Sequence, residues 1–285
     1  MLARIIKQSA FGSITVLLVV HIGLSQSVPA APSLSANDLV RAVVADELKA
    51  QDASHTRWMY REDREENSKK TTKEVVQTSE GVLERTLAVE GRPLNVTQQQ
   101  AEANRIESLV KNHAEQQRLE QTKQKDAEQC RAFFKMIPDA LIFSYAGRDG
   151  NLVKLTYGPN PQFQPPSREA RVFHAMAGEM WVHETQKRLV SMSGQLVADV
   201  KFASGLLGNL EKGGHFAVVQ SELSPGQWDM TSMDINMKGK ALLFKTIAVQ
   251  QKEYRSNFRA VPASLSLAEA AQILTNDVLM AANMH

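Results

Sequence analysis

The sequence predicts an α+β protein in which two groups of antiparallel β-strands are separated by a long helical segment. In the strand segments, apolar and polar residues alternate between turns that contain Gly or Pro, which is typical of strands with one buried face. Residues 96–135 contain no Gly or Pro and are rich in Gln, Glu, Lys and Ala, which is typical of helices. Because the strands follow one another through short connections, we expect them to pair antiparallel.

The first 30 residues have the pattern of a secretory signal peptide. Arg4 and Lys7 form a positive n-region, residues 10–24 are mainly apolar, and residues 28–30 are small enough for a cleavage site. A retained membrane anchor is the alternative, but His21 interrupts a stretch that is shorter than the roughly 20 apolar residues needed to span a bilayer. We therefore expect a periplasmic or secreted protein with no transmembrane span after cleavage.

Charge and cysteine content exclude several classes of function. The sequence has 33 Lys and Arg against 31 Asp and Glu, and residues 1–30 hold two of the basic residues and none of the acidic ones, so the mature chain is neutral. Nucleic-acid-binding proteins concentrate Lys and Arg, so we expect no nucleic-acid partner. Cys130 is the only cysteine, which rules out an internal disulfide, and its helical setting lacks the neighbouring base of a catalytic thiol.

The N-terminal half is predicted to contain a helix followed by a three-stranded meander. Asn37 is the predicted N-cap of a helix over residues 37–51, in which apolar residues recur at helical spacing. Residues 55–66, 70–78 and 81–90 form the predicted strands, separated by turn residues.

Two pairs of acidic residues lie in the first of these strands. Glu62 and Asp63, and then Glu65 and Glu66, alternate with arginines. Opposite charges on paired strands commonly compensate each other on a solvated face, so we interpret these residues as solvated cross-strand charges and not as a catalytic acid/base pair.

The C-terminal half is predicted to begin with a hairpin and to continue as a meander. Residues 141–157 form the hairpin around Asp149-Gly150, and four prolines in residues 159–166 predict an extended loop. Five strands then follow one another, and residues 204–210 are predicted as a loop or a helical turn. Ser266 and Glu269 form a capping box that opens a terminal helix within residues 263–285.

The clearest alternation in the chain predicts one long, half-buried strand over residues 190–202. Polar residues occupy one face of this strand, and the other face is apolar. The apolar face consists of Val190, Met192, Leu196, Ala198, Val200 and Phe202. Three methionines of a later strand are predicted to join it, and methionine suits ligands of variable shape because its side chain is flexible. They are Met230, Met233 and Met237.

The sequence resembles the LolA-like periplasmic lipoprotein-carrier superfamily, the outer-membrane lipoprotein-sorting proteins. The order of elements supports the resemblance, together with six segments between residues 140 and 258. These are residues 180–189, Gly194, 200–202, 205–207, 212–214 and 226–228. The similarity is weaker over residues 37–93, and the polar helical region departs from the family pattern, so residues 96–138 are interpreted as an insertion.

The resemblance implies an incomplete antiparallel β-barrel, a strongly curved sheet with covering helices, over residues 31–262. It also implies that the apolar concave face binds acyl chains, with the nine apolar residues named above as its predicted lining. A buried methylene contributes about 0.8 kcal/mol, so surface area alone could hold an acyl chain. The expected function is therefore that of a non-enzymatic carrier of lipid or lipoprotein acyl chains.

Three other interpretations remain open at this point. The apolar face could be ordinary core beneath a helix. The protein could be an envelope sensor or interaction module that binds an envelope protein through residues 96–138. A hydrolase with scattered site residues has no sequence support, because no zinc-protease, nucleophile-elbow or phosphate-loop motif occurs. No metal or cofactor is expected, since His174, His183 and His215 lack partners at metal-ligand spacing.

Overall fold

The protein folds as a large antiparallel sheet with five helices in the part of the chain that the computed structural model describes, residues 34–53, 55–202, 208–241 and 245–282. The helices are α1 (Ala36–Ala53), α2 (Val96–Lys111), α3 (His113–Ala140), α4 (Arg168–His174) and α5 (Leu267–Ala282). The strands are β1 (Arg57–Glu66), β2 (Lys69–Gln77), β3 (Val82–Val89), β4 (Arg92–Pro93), β5 (Leu141–Asp149), β6 (Leu152–Pro159), β7 (Met176–His183), β8 (Arg188–Leu196), β9 (Val200–Phe202), β10 (Gly208–Leu210), β11 (His215–Ser224), β12 (Gln227–Ala241) and β13 (Lys245–Val261). The predicted signal peptide, residues 1–30, lies outside the described residues.

The strands are hydrogen-bonded in the order β4-β3-β2-β1-β13-β12-β11-β8-β7-β6-β5, and β10 branches off to pair with β12 and β9. Among the described strands, the edges β4 and β5 do not pair with each other, so the curved sheet is unclosed. The two predicted meanders meet where β1 pairs with β13. The α+β class and the antiparallel, unclosed sheet are confirmed, whereas the lipoprotein-carrier fold stays a prediction.

Most predicted elements are confirmed by the structure. The predicted helix over 37–51 corresponds to α1, the first meander to β1, β2 and β3, and the hairpin to β5 and β6. The capping box at the start of α5 is also present: the N–H of Ser266 donates to the Glu269 carboxylate at 2.8 Å, and the N–H of Glu269 donates to the Ser266 hydroxyl at 3.3 Å.

The prediction of one continuous strand over residues 190–202 is wrong. β8 ends at Leu196 and β9 begins at Val200, because the partner strand β7 begins only at Met176 and the residue before it, Ala175, is the C-cap of α4. The N–H of Val197 donates to the carbonyl oxygen of Ala175 at 3.0 Å. The carboxylate of Asp199 accepts the N–H of Lys212 at 2.8 Å. As a result, Ala198 is exposed instead of belonging to the apolar face.

Two further elements differ from the prediction. Residues 208–210, predicted as part of a loop or helical turn, form β10, and residues 203–207 lie outside the described part of the chain. The short helix α4 was not predicted. It begins after Ser167, whose hydroxyl accepts the N–H of Ala170 at 3.1 Å. A helix of seven residues is too short to show a helical repeat of apolar residues.

Asn37 is not the N-cap of α1 as predicted. The hydroxyl of Ser35 accepts the N–H of Asp38 at 3.1 Å and takes this role. The amide of Asn37 instead binds the edge of the sheet, where it donates to the carbonyl oxygens of Pro138 and Leu141 and accepts the N–H of Phe143, each at 2.9 Å. Asn37 therefore attaches the start of α1 to the edge strand β5.

The predicted polar helical region consists of two helices, α2 and α3, which are divided at Asn112. Its outer surface is solvated as expected, but α2 is not a separate appendage. Ile106 is only 1% exposed and packs in a core with Leu83, Leu274 and neighbouring apolar residues of β1, β2 and α5. Residues 96–138 therefore contribute to the packing of the sheet.

The sheet is packed on both faces. Leu39, Val40, Val43 and Val44 of α1 pack with apolar residues of β5 to β8, and we call this side of the sheet the α1 face. On the opposite side, the core around Ile106 joins α2 and α5 to β1, β2 and β3. Because β1 pairs with β13, the strands of the two predicted meanders form one sheet. Apolar residues are buried on each face of that sheet.

Candidate functional site

The nine predicted acyl-chain residues fall into three groups in the structure. The buried group lies in the core beneath α1 and consists of Met192, Leu196, Val200 and Met237. The half-buried group consists of Val190, Phe202, Met230 and Met233. Ala198 alone is exposed. Val190 departs from the predicted face because it occupies a β-bulge, where Trp181 pairs with Ser191 and Val182 pairs with Leu189.

The core beneath α1 is rich in methionine. The sequence has 11 methionines, and five of them pack in this one cluster. They are Met136, Met176, Met180, Met192 and Met237. Methionine fills irregular gaps and repacks more easily than branched residues, so this part of the α1 face can change its shape at low cost.

Helix α1 is held on the sheet by one buried ion pair. The Glu47 carboxylate is 2% exposed, lies 3.0 Å from the Arg188 guanidinium of β8 and accepts the N–H of Leu189 at 2.8 Å. Burial raises the pKa of Glu47, although Arg188 acts in the opposite direction. The interaction places a charged anchor inside an otherwise apolar interface.

The remaining polar attachments of α1 lie at its ends. Asn37 binds the edge strand near the start of the helix, and Arg41 contacts Asp139 at 2.6 Å. Asp52, at the other end, pairs with Arg131 of α3. Exposed ion pairs of this kind contribute little to stability, so the ties at Asn37 and Glu47 are the strong ones.

A row of cross-strand neighbours runs along the α1 face from apolar to charged residues. We call it the central row. Its members are Tyr145, Leu155, Met180, Met192, Val218, Met233, Glu253, Arg64 and Thr71. Up to Met233 the row is mainly apolar and continues the methionine-rich core, and from β13 onward it is polar, with the charged residues Glu253 and Arg64. One face of one sheet therefore combines an apolar half with a charged half.

The charged half contains a buried carboxyl group, that of Glu62, with one oxygen that has no partner among the described residues. Glu62 is 5% exposed and lies directly opposite Lys73 on β2 and Arg255 on β13. Both cations are engaged elsewhere: Lys73 pairs with Glu84 at 2.5 Å, and Arg255 pairs with Glu253 at 2.7 Å. Among the described residues, the Oε1 atom of Glu62 has no hydrogen-bond partner. The prediction that Glu62 is a solvated charge is therefore wrong.

The electrostatic environment of this region disfavours negative charge. Burial raises the pKa of Glu62, and the neighbouring carboxylates Glu253 and Glu84 raise it further. Burial likewise raises the pKa of Asp229, which contacts Arg255 at 3.4 Å. Asp63, on the opposite face of β1, has a lowered pKa despite partial burial, because Thr72 and Arg61 bind its carboxylate. The charged half of the α1 face is thus distinct from the solvated face behind it.

Two open grooves lie away from the methionine-rich core beneath α1. One, with a volume of about 800 Å³, lies along β1, β2, β12 and β13. Its lining includes Met233 and Glu253 of the central row as well as the ion pair of Lys252 and Asp234. The other, of about 300 Å³, lies between α2, α3, β3 and α5 and is lined by Leu109, Leu119 and Glu120. Met233 is the only predicted acyl-chain residue that lines either groove.

The histidine and cysteine residues considered for metal binding or catalysis do not form a common site in the described part of the chain. His174 binds the carbonyl oxygen of Asn160 at 2.7 Å, and the His183 ring lies beside Trp228. In the described part of the chain, no three His, Cys, Asp or Glu side chains are arranged as metal ligands. Cys130 lies on the exposed side of α3, yet partial desolvation of its thiol raises its pKa, which disfavours the thiolate.

No described helix combines the length and the apolar character needed to cross a membrane. Comparisons of the sequence and structure with protein-family models, with curated proteins and with solved structures found no match to this chain.

Proposed function

We propose that the protein is an exported, non-enzymatic carrier of lipid or lipoprotein acyl chains, and that the chain occupies the apolar half of the α1 face after α1 moves away. The observation that carries this proposal is the methionine-rich core beneath a single amphipathic helix on an unclosed sheet. In the structure that core is filled by α1, so binding requires the ligand to replace the helix.

The energies of the two states are comparable. Burial of a Leu or Val side chain contributes about 2 kcal/mol, so the four buried Leu and Val side chains of α1 contribute about 8 kcal/mol. An acyl chain of about 14 methylenes contributes about 11 kcal/mol at about 0.8 kcal/mol for each methylene. An acyl chain can therefore offset the displacement of the helix, and the methionines beneath α1 can repack around the chain.

Asn37→Ala is expected to strengthen uptake of a fluorescent fatty acid. The variant removes three hydrogen bonds between α1 and the edge of the sheet, so α1 leaves the sheet at lower cost. A loss of about 1–2 kcal/mol in this attachment lowers the apparent Kd by about fivefold to thirtyfold. The measurement is titration of protein exported to the periplasm and purified without detergent, with native mass spectrometry to establish a 1:1 complex.

Asn104→Ala on the exposed side of α2 is the matched control, because the Asn104 amide is hydrogen-bonded to Gln100 of the same helix. It should leave the Kd unchanged. Failure of both the unmodified protein and Asn37→Ala to bind any fatty acid would mean that the α1 face is permanent core. Equal binding by Asn37→Ala and the unmodified protein would place the ligand elsewhere.

A second candidate is an interaction module that contacts an envelope protein through the helical region. The groove between α2, α3, β3 and α5 favours it, because Leu119 is 47% exposed at its rim. Deletion of residues 96–138 would not test this function, since it would remove Ile106 from the core.

Cross-linking from a single introduced cysteine avoids that problem. In a Cys130→Ser background, Leu119→Cys is expected to form one discrete cross-linked product with an envelope protein in cells. Ala146→Cys, at an exposed position of the edge strand, is the control and should give no such product. Identical products from both positions would show collision instead of docking and would remove this candidate.

A further inference from the structure

The charged half of the α1 face carries more negative than positive charge. Its carboxylates are Glu62 on β1, Glu84 on β3, Asp229 on β12 and Glu253 on β13, and its cations are Lys73 on β2 and Arg255 on β13. Arg64 adds no net charge because it pairs with Glu66 at 3.0 Å. Four carboxylates thus face two cations, which leaves an excess of two negative charges when all six groups are ionised. Glu62 and Glu253 are buried, whereas the Glu84 side chain is 43% exposed.

Two buried acceptor atoms in this region have no hydrogen-bond partner among the described residues, and the Nε atom of Arg64, on the same face of β1, is an unpartnered donor. The Oε1 atom of Glu62 is buried without a hydrogen-bond partner, and so is the Oε1 atom of Gln220 on β11, beside the strand that carries Asp229. The guanidinium of Arg255 also lies 5.0 Å from the centre of the Tyr60 ring, so this cation is held by an aromatic face as well as by carboxylates. A buried acceptor without a partner is costly, so a ligand that donates hydrogen bonds would be favoured here.

The charged half directly continues the apolar half. Met233 and Glu253 are cross-strand neighbours in the central row, so the apolar surface changes to a carboxylate within one strand spacing. A ligand that lay along the row would place its apolar part on the methionines and its polar end beside Glu253 and Glu62.

We propose that the amphiphile carried by this protein has a protonated amine in its polar end, and that Glu62 is the residue that selects it. The inference rests on the proposed carrier function. A phosphate, sulfate or carboxylate group is disfavoured because it would add negative charge to an excess of carboxylates. An ammonium group supplies both the missing positive charge and the missing hydrogen-bond donors.

The test compares three probes with the same chain, namely dodecylamine, dodecanol and dodecanoate, in competition with a fluorescent fatty acid at neutral pH. We expect dodecylamine to bind at least about tenfold tighter than dodecanol, and dodecanoate to bind more weakly than both. Glu62→Gln keeps the shape of the side chain and removes its charge, so it should abolish the preference for the amine and leave dodecanol binding within about twofold.

Glu65→Gln is the matched control, since Glu65 lies on the opposite face of the same strand, and it should retain the full preference. If Glu62→Gln does not fold, Lys73→Met provides a second test, because removal of this cation should increase the ratio of amine to alcohol affinity. Equal affinities for the amine and the alcohol would overturn the inference and indicate that a proton neutralises Glu62. Failure of dodecanol itself to bind would instead count against the carrier function.

Discussion

Arg188→Met is expected to lower the free energy of unfolding by about 3–5 kcal/mol at neutral pH. The variant removes the cation from a pair in which the Arg188 side chain is 11% exposed and the Glu47 side chain is 3% exposed. The carboxylate would then remain buried between α1 and β8 with only the N–H of Leu189 as a donor. Urea denaturation of the variant and the unmodified protein measures the difference.

The deficit of Arg188→Met should shrink as the pH falls. Burial already raises the pKa of Glu47 above the ordinary value of 4.5, and loss of Arg188 removes the group that opposes the shift. A carboxyl group with a raised pKa in the folded state binds a proton more readily there than in the unfolded chain. Its destabilising effect is therefore present above the folded-state pKa and disappears as the pH falls toward about 4.5.

The double variant Glu47→Gln with Arg188→Met separates loss of charge compensation from loss of packing. The introduced glutamine side chain is neutral and can still accept the N–H of Leu189, so we expect the double variant to recover most of the lost stability, to within about 1 kcal/mol of the unmodified protein. A double variant as unstable as Arg188→Met alone would show that the arginine stem, and not the unpaired charge, carries the effect. The same variants also test the proposed carrier function. Arg188→Met weakens the attachment of α1 to the sheet, so we expect this variant to bind fatty acid more tightly.

Local patterns were sufficient to predict most strands and helices of this protein. The alternation along β8 predicted its strand conformation and the burial of Met192 and Leu196, because period-two burial is encoded by neighbouring residues. The end of that strand was missed, since it depends on where the partner strand β7 begins after α4, in a segment distant in sequence. The role of Asn37 was missed for the same reason, because its amide binds residues 138–143.

The charged half of the α1 face could not be predicted from the sequence. Glu62 stands among arginines in a strand of charged residues, where solvation is the usual outcome. Its burial follows from the pairing of β1 with β13, which brings Arg255 and Glu253 beside it from nearly 200 residues away. A single sequence contains no local signal for that pairing, so both the excess of carboxylates and their continuity with Met233 required the structure.

Gly178→Ala is expected to lower the free energy of unfolding by about 3 kcal/mol. Gly178 of β7 faces Gly194 of β8, and a Cβ atom at Gly178 would lie 2.0 Å from the carbonyl oxygen of Ser193 and 2.6 Å from the Cα atom of Gly194. Both contacts are with backbone, so no side-chain rotation can relieve them and the two strands would have to separate. Tyr157 shares the space, because its hydroxyl donates to the same oxygen of Ser193 at 2.9 Å.

Gly158→Ala on the neighbouring strand β6 is the matched control, because no atom lies within 4 Å of the Cβ position there. Thermal and urea denaturation should place this control within about 0.5 kcal/mol of the unmodified protein. Since β7 and β8 carry Met180 and Met192, separation of the strands would also disturb the centre of the methionine-rich core. Equal stability of Gly178→Ala and Gly158→Ala would contradict this prediction. It would mean that β7 and β8 can separate at this point without loss of stability, and that the sheet beneath the proposed acyl-chain site is less tightly packed than its hydrogen bonds indicate.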